Sequence, residues 1–564
     1  MPKGVHYKLK CSKETNELRK NNPFEAQPHQ QFSHDYFIDE TVNGDNNRKG
    51  LLLYHTVGSG KTCTSIMIAD TMLNNGLIDK VYILSPGSLR PGWIKEYCEV
   101  CGIVDKDKRF SDKFVFITYN YDIREEIKKI DFNNSLIIID EVHNLINGVK
   151  NDSTNLTLEE EYMIKKNKKQ TKSKVASSIY NKIYNSKCYI LGLSGTPIFK
   201  NIYEWSLLMM LLDPMNGTFF KVVNQLTGNI DIEGFTDNFK YLPNDTVFPK
   251  NGKRFRNIIK GLVSFYKPSG ENYPTVVIKE PIQVRMHTEQ NQNYWLVYSE
   301  ESKYRAKGYP KKSVNESMES FKKRVDLYMM AVQYIQSLRA SNCYYGPVLK
   351  YKKDVVSPVG WVSSNILQDN ILLRMSTKIV ALIINIITHP RSKHVIFTLL
   401  KLKSGVNLIY ALFKICGHES LIFSGDTPSH ERTNILNKFN APKNRYGVKY
   451  PIILLTTAGA EGITIKEAEN MHILESSTRP TLINQAIGRV VRYKSHALMK
   501  PSERVVNIWR YWSLSTNNDI SIYLKEYKTN KKNKDIIKEV NTGETVDVLL
   551  YKRGLISLNI INSF

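Results

Sequence analysis

Short apolar runs rich in β-forming residues alternate with helical or polar segments in two separate parts of the chain. The first series consists of LLLY at 51, KVYILS at 80, KFVFIT at 113, SLIIID at 135 and KCYILGLS at 187. The second consists of KHVIFT at 393, SLIFS at 420, YPIILLTT at 450, NMHILES at 470 and VVNIW at 505. Continuous apolar strands separated by helices are typical of parallel sheets covered on both faces. The pattern predicts an α/β protein with two parallel-sheet domains of similar size.

The region between the two series differs from both. It loses the alternation and is rich in Lys, Tyr and Asn, while apolar residues recur at helical spacing between Val314 and Asn342. That spacing predicts a partly helical region packed against a neighbouring element. Because 564 residues exceed the rough guide of about 150 residues per domain, we expect several segments. They are a first parallel-sheet domain with an N-terminal extension (1–215), an accessory insertion (216–364), a second parallel-sheet domain (365–515) and a C-terminal tail (516–564).

The charge of the chain is strongly basic. Lys and Arg number 79 against 54 Asp and Glu, which gives a formal net charge of +25. An excess of this size favours a polyanionic partner such as nucleic acid, because each neutralised phosphate releases a condensed counterion. A generally Lys-rich and Asn-rich proteome from an AT-rich genome is the alternative explanation of the charge.

Membrane and disulfide signals are weak in this sequence. No run of eighteen uncharged apolar residues occurs, and no apolar stretch follows the N-terminal charges. We therefore expect an intracellular protein with no membrane partner and no signal peptide. Seven scattered cysteines argue against a disulfide framework and fit a reducing compartment. Cys98 and Cys101 have the spacing of metal ligands, but the absence of a second such pair in the sequence disfavours zinc.

A glycine-rich loop follows the first apolar run, in LLLYHTVGSGKT. Gly58 and Gly60 allow the backbone to approach phosphate oxygens, while Lys61 can contact the β- and γ-phosphates and Thr62 can hold Mg²⁺. His55 stands where the usual loop has glycine, yet the groups that contact phosphate all follow it. A chance glycine turn is the alternative. The loop predicts a site for ATP and Mg²⁺ formed by Thr56, Val57, Gly58, Ser59, Gly60, Lys61 and Thr62.

Two carboxylates end a later apolar strand, in LIIIDEVHNL. The carboxyl edge of a parallel sheet is where α/β proteins hold ligands. We expect Asp140 to hold Mg²⁺, directly or through water, and Glu141 to polarise the water that attacks the γ-phosphate. Carboxylates at this position can also be helix caps, but the upstream loop favours catalysis. His143 is a candidate for coupling this centre to its neighbours.

These residues resemble the DExH group of superfamily 2 helicases and translocases, and further stretches occur in the order of that family. They are SPGSLRPGW from 85, SGTP from 194, VIFTLL from 395, TTAGAEGITI from 456 and QAIGRVVR from 485. The resemblance implies two tandem RecA-like domains, and it covers roughly residues 20–215 and 365–515. SGTP and DEVH depart from the commoner SAT and DEAH or DEAD forms, which leaves the choice between RNA and DNA open.

The resemblance also assigns roles to individual residues. It implies that Gln30 reads adenine, with Phe24 as a possible stacking partner, and that Gly462 belongs to the nucleotide site. It implies that Ser194 and Thr196 couple the two activities. Contacts with the nucleic-acid backbone are implied for Ser85, Arg90, Thr118, Thr457 and Gly459. Catalytic roles across the domain cleft are implied for Gln485, Arg489 and Arg492, the two arginines lying on a predicted helix as finger candidates.

Within superfamily 2 the local sequence around the motifs is most similar to that of poxvirus nucleoside triphosphatase I and related helicases of giant DNA viruses and linear cytoplasmic plasmids. The similar stretches exceed the bare motifs, as in LSGTPIFKNIYEWSLLMMLLDP and GRVVRYKSHALMKPSERVVNI. This similarity implies a viral enzyme of the host cytoplasm, in the replication compartment and possibly packaged in the virion. Viral RNA polymerase or the transcription machinery is an implied partner.

Three functions follow from these patterns. The first is an ATP-dependent helicase or translocase that couples hydrolysis to movement on RNA or DNA, or to its unwinding. The second is a viral transcription NTPase that releases transcripts, or acts in early transcription, without unwinding. The third is a nucleic-acid-binding subunit that does not hydrolyse ATP. The presence of the phosphate-loop lysine, both carboxylates and both arginines disfavours the third.

Overall fold

The computed structural model divides into two compact units, Met1–Pro268 with Phe564, and Ser269–Ser563. The predicted limits at 215 and 364 stay predictions, and the boundary between the units falls inside the predicted insertion. The structure describes residues 5–7, 24–44, 48–56, 58–87, 89–102, 112–118, 123–153, 169–195, 202–214, 239–241, 247–249, 259–267, 270, 272–308, 310, 313, 316–344, 371–401, 404–457, 463–477, 480–515 and 544–562.

Unit 1 contains nine strands and seven α-helices among its described residues. The strands are β1 (Val5–Tyr7), β2 (Gly50–His55), β3 (Lys80–Leu84), β4 (Phe114–Ile117), β5 (Ser135–Asp140), β6 (Tyr189–Ser194), β7 (Phe239–Tyr241), β8 (Val247–Pro249) and β9 (Val263–Tyr266). The helices are α1 (Pro28–Tyr36), α2 (Lys61–Asn74), α3 (Arg90–Lys95), α4 (Arg124–Lys129), α5 (Val142–Ser153), α6 (Lys169–Tyr184) and α7 (Ile202–Leu212). Two π-helical segments continue α1 and α3, at Phe37–Val42 and Glu96–Cys101.

Seven strands of unit 1 form one sheet in the order β1-β4-β3-β5-β6-β2-β9. β1 is antiparallel to β4, and the remaining neighbours run parallel. On the central strand β5, Leu136 and Ile138 belong to an apolar cluster that includes residues of α2. Ile137 and Ile139 point to the other face and are equally buried. This double burial explains the continuous apolar run, and the parallel sheet predicted from it is confirmed.

Unit 2 contains the remaining elements. The strands are β10 (Thr275–Ile278), β11 (Ile282–Arg285), β12 (His394–Thr398), β13 (Ser420–Phe423), β14 (Ile452–Thr456), β15 (Asn470–Ile473) and β16 (Val505–Leu514). The helices are α8 (Thr288–Lys307), α9 (Met318–Val332), α10 (Ile335–Asn342), α11 (Ile371–Met375), α12 (Thr377–Thr388), α13 (Val406–Ile415), α14 (Ser429–Asn440), α15 (Pro480–Val490) and α16 (Val546–Asn562).

The sheet of unit 2 is parallel, in the order β10-β16-β15-β12-β14-β13, with β11 also paired to β16. On β12, Val395 and Phe397 join one apolar cluster and Ile396 joins another. Alternate side chains of the strand therefore enter separate cores on the two faces. The second parallel-sheet domain predicted from the sequence is confirmed.

Part of the predicted insertion is built into this second sheet. β10 and β11 precede the predicted second domain, yet both pair with β16. Each has only four residues, and both are partly exposed, so neither gives a strong apolar signal. The helical stretch predicted between Val314 and Asn342 is two helices, α9 and α10, because Tyr334 takes a left-handed conformation with φ of 55°.

A disulfide links two described cysteines, although the sequence argued against a disulfide framework. It joins Cys63 on α2 to Cys101 at the end of the second π-helical segment, with 5.6 Å between the Cα atoms. The two residues are 38 positions apart in the chain, so no short spacing motif indicates the pairing. The fold brings them together because α2 and this segment pack on the same apolar cluster.

Among the described ranges, no helix combines the length and apolar character that crossing a bilayer requires.

Candidate active site

The phosphate loop joins the end of β2 to the start of α2. Gly58 and Gly60 have φ values of 85° and 84°, a left-handed conformation that glycine adopts without the clash a Cβ would cause. The helix then begins at Lys61. Its first backbone N–H groups have no partner within the helix and form a favourable environment for an anion. The loop conformation thus suits the phosphate binding predicted from the sequence.

Lys61 is the first helical residue after this loop. Its Nζ donates hydrogen bonds to the backbone oxygens of His55 and Thr56, at 2.7 and 3.2 Å. Thr62 follows on the first turn of α2 and is partly exposed. The exposed Thr56 donates from Oγ1 to the backbone oxygen of Tyr266 on β9. Ser59 is buried, and its Oγ has no hydrogen-bond partner among the described residues.

Gln30 on α1 packs directly against the loop. Its Nε2 donates to the backbone oxygen of Gly60 at 3.0 Å, and its Oε1 accepts from the backbone N–H of Gln27 at 2.8 Å. A Cβ added to Gly60 would lie 2.4 Å from Gln30 Nε2. Phe24 packs against the apolar cluster of unit 1. The structure therefore brings the predicted adenine reader to the phosphate loop.

His55 has a packing role that the sequence did not indicate. It is fully buried, and its Nε2 lies 2.9 Å from Ser264 Oγ on β9, which in turn lies 3.0 Å from Ser33 Oγ on α1. Burial first, then the charges of Lys61 and His29, lowers the pKa of His55 to about 3. His55, the last residue of β2, is therefore neutral, and its contact with Ser264 links β2 to β9 and, through Ser33, to α1.

Asp140 and Glu141 follow the centre of the same sheet. Trp93 Nε1 on α3 donates to Asp140 Oδ2 at 2.7 Å. Burial and the neighbouring charge of Glu141 raise the pKa of Asp140 to about 6, against the lowering effects of the Trp93 hydrogen bond and of Lys61. β2 and β5 are parallel strands of one sheet, so the loop that leads to Lys61 and the carboxylate of Asp140 follow the same edge of that sheet. Glu141 has a φ of 50°, a strained conformation that occurs preferentially at functional sites.

His143 connects this centre to the next strand. It is buried on α5, and its Nδ1 lies 3.0 Å from Ser194 Oγ at the end of β6 and 3.4 Å from Glu141 Oε2. The second and third helicase-like motifs are thereby in contact through side chains. This geometry suits the coupling role predicted for both residues.

Three residues predicted to contact nucleic acid cluster at the ends of β3 and β4. Ser85 donates its backbone N–H to Ile117 at 3.0 Å, and Thr118 follows Ile117. The side chains of Ser85 and Thr118 are nearly fully buried, at 2% and 6% exposure. Arg90 begins α3, where burial lowers its pKa, and its Nε has no hydrogen-bond partner in the described part of the chain. Of these side chains, only that of Arg90 has substantial exposure.

The predicted residues of unit 2 form a second group. Gln485 and Arg489 lie on α15, but Arg492 follows the end of this helix at Val490; the interpretation that both arginines are helical is therefore wrong. Arg492 donates to the backbone oxygen of Ile463 at 3.2 Å and also to Thr464 Oγ1. Arg489 is 8% exposed. The sixth motif thus packs on the last residues of the fifth.

Of the remaining predicted residues, one lies among the residues that the structure describes. Thr457 directly follows β14 and is partly buried. The predictions for Val57, Thr196, Gly459 and Gly462 lie outside the described residues.

Sequence reasoning missed the residues that support the site. Trp93 and the stacked pair of His29 and Tyr266, with ring centroids 3.6 Å apart, had no assigned role. His29 Nε2 also lies 2.8 Å from the backbone oxygen of Ser59. The one available signal was the position of His29 next to Gln30, the residue predicted to read adenine. Tyr266 could not be found, because β9 lies in the predicted insertion.

Comparison with known families matches both parallel-sheet domains. Residues 23–199 match the family model described as type III restriction enzyme, res subunit. Residues 377–494 match the helicase conserved C-terminal domain. The first range contains the phosphate loop and both carboxylates, and the second contains all the predicted site residues of unit 2.

Viral proteins are among the similar relatives. A protein of Acanthamoeba polyphaga mimivirus named as an ATP-dependent RNA helicase, R563, is 24% identical over 540 residues, covering 87% of this chain and 83% of the relative. The termination factor NPH-I homolog of African swine fever virus is 24% identical over 598 residues, covering 93% of this chain and 76% of the relative. The Sulfolobus solfataricus SWI2/SNF2 ATPase core in complex with dsDNA is 16% identical, with coverage of 96% and 98% and a TM-score of 0.34.

Proposed function

Because the chain belongs to the superfamily 2 helicases and translocases and is related to the viral NPH-I proteins, we propose that it is an ATPase stimulated by nucleic acid, which moves along RNA or DNA. The observation that carries the proposal is the hydrogen bond of Gln30 to the phosphate loop, on a sheet where the strands that precede Lys61 and Asp140 run parallel and end at the same edge. A structural glycine turn would not require a buried amide bonded to the loop and a carboxylate at the same edge of the sheet.

The residues of unit 1 fit ATP and Mg²⁺. Backbone N–H groups at the start of α2 and the Lys61 ammonium would hold the phosphates. Thr62 and Asp140 would hold Mg²⁺, which neutralises charge on the phosphates when bound. Glu141 would orient the attacking water and accept its proton. Asp140 must be ionised to hold the cation, so its raised pKa predicts weaker binding in acid.

Coupling to nucleic acid would pass through the third motif. The contact of His143 with Ser194 supports a path from the carboxylates to the end of β6. Arg489 and Arg492 belong to unit 2, and an arginine delivered from a second domain would make the grip on a polymer depend on the bound nucleotide. Contacts with phosphate would position the polymer without reading its sequence.

Transcript release is a second candidate function. The named termination factor homolog of African swine fever virus aligns with 93% of this chain, which supports an enzyme that translocates without separating long duplexes. Viral RNA polymerase would then be a partner. The viral relatives also support a location in the host cytoplasm, within the replication compartment or the virion.

ATPase assays without polymer and with single-stranded RNA, single-stranded DNA and duplex DNA test the proposal. We expect at least one polymer to raise the turnover of the wild-type chain, with a salt-sensitive effect. Glu141→Gln should lower turnover by about 10²-fold or more while ATP and polymer still bind. Glu125→Gln, an exposed carboxylate on α4, is the matched control.

Two results would contradict the proposal. Turnover that is the same with and without every polymer would remove the nucleic-acid dependence, and wild-type turnover in Glu141→Gln would remove the catalytic assignment. Strand displacement from tailed duplexes then distinguishes the two candidates. Displacement favours a helicase, whereas polymer-stimulated turnover without displacement favours transcript release.

A further inference from the structure

A hydrogen bond between Trp93 and Asp140 joins two motifs that the proposed function uses separately. Trp93 lies on α3, within the stretch that begins at Ser85, and its Nε1 donates to Asp140 Oδ2 at 2.7 Å. The indole is almost completely buried, at 3% exposure. The proposed function assigns Asp140 to Mg²⁺ and Arg90 to the polymer, and it gives Trp93 no part. The bond therefore calls for a separate explanation.

Trp93 helps to orient the Asp140 carboxylate. The backbone N–H of Glu141 also bonds to this carboxylate, but that donor is the next residue of the chain and moves together with Asp140. Trp93 belongs to a different element, so a shift of α3 can reach the carboxylate through the indole. Donors behind a metal-binding side chain orient it for the metal, and a hydrogen bond to an ionised oxygen is short and strong.

Arg90 and Trp93 occupy one turn of α3. They are three residues apart, which places them about 4.5 Å apart along the helix axis and on the same side of the helix. Beyond this turn, the π-helical segment Glu96–Cys101 carries Tyr97, which is buried in the same apolar cluster as Trp93. The helix is thus held at its far end, and a contact at Arg90 restrains the turn that carries Trp93.

The surroundings of Arg90 favour an anion. Its guanidinium lies over the ring of Phe116 on β4, with 5.7 Å between Cζ and the ring centroid. Its Nε is buried and has no hydrogen-bond partner among the residues that the structure describes. Thr118, two residues after Phe116, has a buried Oγ1 that also lacks a partner in the described ranges. Buried polar atoms without partners cost free energy, and phosphate oxygens bound at this edge of the sheet would satisfy them.

We propose that Trp93 is a positioning residue through which nucleic acid bound at Arg90 raises the affinity of the nucleotide site for Mg²⁺. The inference rests on the proposed function and names a route for the stimulation. A phosphate held by Arg90 restrains the first turn of α3, and this turn holds Trp93 Nε1 against Asp140. Asp140 then keeps the orientation that the cation requires. The route passes through α3, so it is separate from the contact of His143 with Ser194.

Nucleotide binding at a series of Mg²⁺ concentrations tests the proposal on the full-length chain. A fluorescent, non-hydrolysable ATP analogue reports binding, and the Mg²⁺ requirement is the concentration that gives half-maximal binding. It is measured without polymer and with saturating single-stranded RNA or DNA. We expect polymer to lower the wild-type requirement by about tenfold, the effect of one hydrogen bond to a charged group. An unchanged requirement, in a chain whose turnover rises with polymer, would overturn this inference and leave the proposed function standing; turnover that no polymer changes would overturn both.

Trp93→Phe keeps an aromatic ring in the apolar cluster and removes the N–H. With polymer, its Mg²⁺ requirement should be about tenfold above that of the wild type and equal to its value without polymer, while a labelled oligonucleotide binds as before. Excess Mg²⁺ should restore turnover, a rescue that a folding defect would not show. Trp509→Phe, which removes the indole hydrogen bond to Asn470 Oδ1 in unit 2, is the matched control and should behave as the wild type. A Trp93→Phe requirement that still falls with polymer as in the wild type would overturn the proposal.

Arg90→Gln tests the other end of the route and does not depend on the stability of the Trp93 variant. Polymer at a saturating concentration should no longer lower its Mg²⁺ requirement, because the restraint on α3 is lost. Lys80→Gln removes an exposed cation at the opposite end of β3 and should respond to polymer as the wild type does. A wild-type response in Arg90→Gln would overturn the proposal.

Discussion

The side-chain amide of Gln30 donates a hydrogen bond of 3.0 Å to the backbone oxygen of Gly60. Gln30 is 3% exposed, and its Oε1 is held by the N–H of Gln27. A residue predicted to read adenine is thus bonded to the loop predicted to hold phosphate. A base bound by Gln30 would therefore act directly on the shape of the loop.

Gln30→Ala should raise the KM for ATP by about tenfold, because the loss of one hydrogen bond costs roughly 1 kcal/mol of binding free energy or slightly more. It should also reduce the preference for ATP over GTP, because the variant lacks the amide that is predicted to read adenine. Steady-state kinetics with both nucleotides measure these effects. Gln31→Ala, which removes an exposed amide bonded to Asp35, is the control. Unchanged preference with unchanged KM would contradict the assignment.

The raised pKa of Asp140, about 6, predicts a loss of turnover in acid. The carboxylate must be ionised to hold Mg²⁺, so activity at limiting Mg²⁺ should fall as the pH drops through this range. Trp93→Phe removes a hydrogen bond that lowers the pKa. The acid limb of its profile should therefore move to higher pH. Profiles at several Mg²⁺ concentrations measure the shift, and a limb that moves to lower pH in the variant would refute the argument.

The contact between His143 and Ser194 predicts energetic coupling. His143→Ala and Ser194→Ala should each reduce stimulation by polymer more than basal turnover, and the double variant should resemble either single one. A double-mutant cycle on the stimulated rate should give about 1 kcal/mol of coupling, typical of residues in one hydrogen-bonded network. Ser177→Ala on α6 is a control for loss of a hydroxyl. Strictly additive effects would show that the contact carries no coupling.

Arg492→Ala should lower kcat by at least about 10²-fold while ATP affinity changes little, because a finger arginine acts on charge that develops in the transition state. Lys438→Ala, an exposed cation on α14, controls for loss of positive charge. Nucleotide binding followed by fluorescence separates affinity from turnover. Since Arg492 also bonds to Ile463 and Thr464, a thermal melt checks that the variant remains folded. Equal losses of kcat and affinity would argue against the finger role.

Local patterns were sufficient to predict both sheets. Strands buried on both faces need apolar residues at every position, so β5 and β14 are visible without any partner. The phosphate loop and the carboxylates were also predictable, because glycine conformations and a Lys-Thr pair at fixed spacing are local requirements. The short strands β10 and β11 escaped notice because half-exposed edge strands carry little apolar signal.

The two α/β domains, the phosphate loop and the order of the helicase-like motifs each depend on neighbours close in the chain, so they could be predicted from the sequence. The meeting of distant side chains depends on the tertiary structure. It bonded Gln30 to Gly60, His143 to Ser194 and Trp93 to Asp140, and it brought Cys63 to Cys101. These contacts arise where parallel strands end together and where helices pack on a shared core, and no local spacing encodes that geometry.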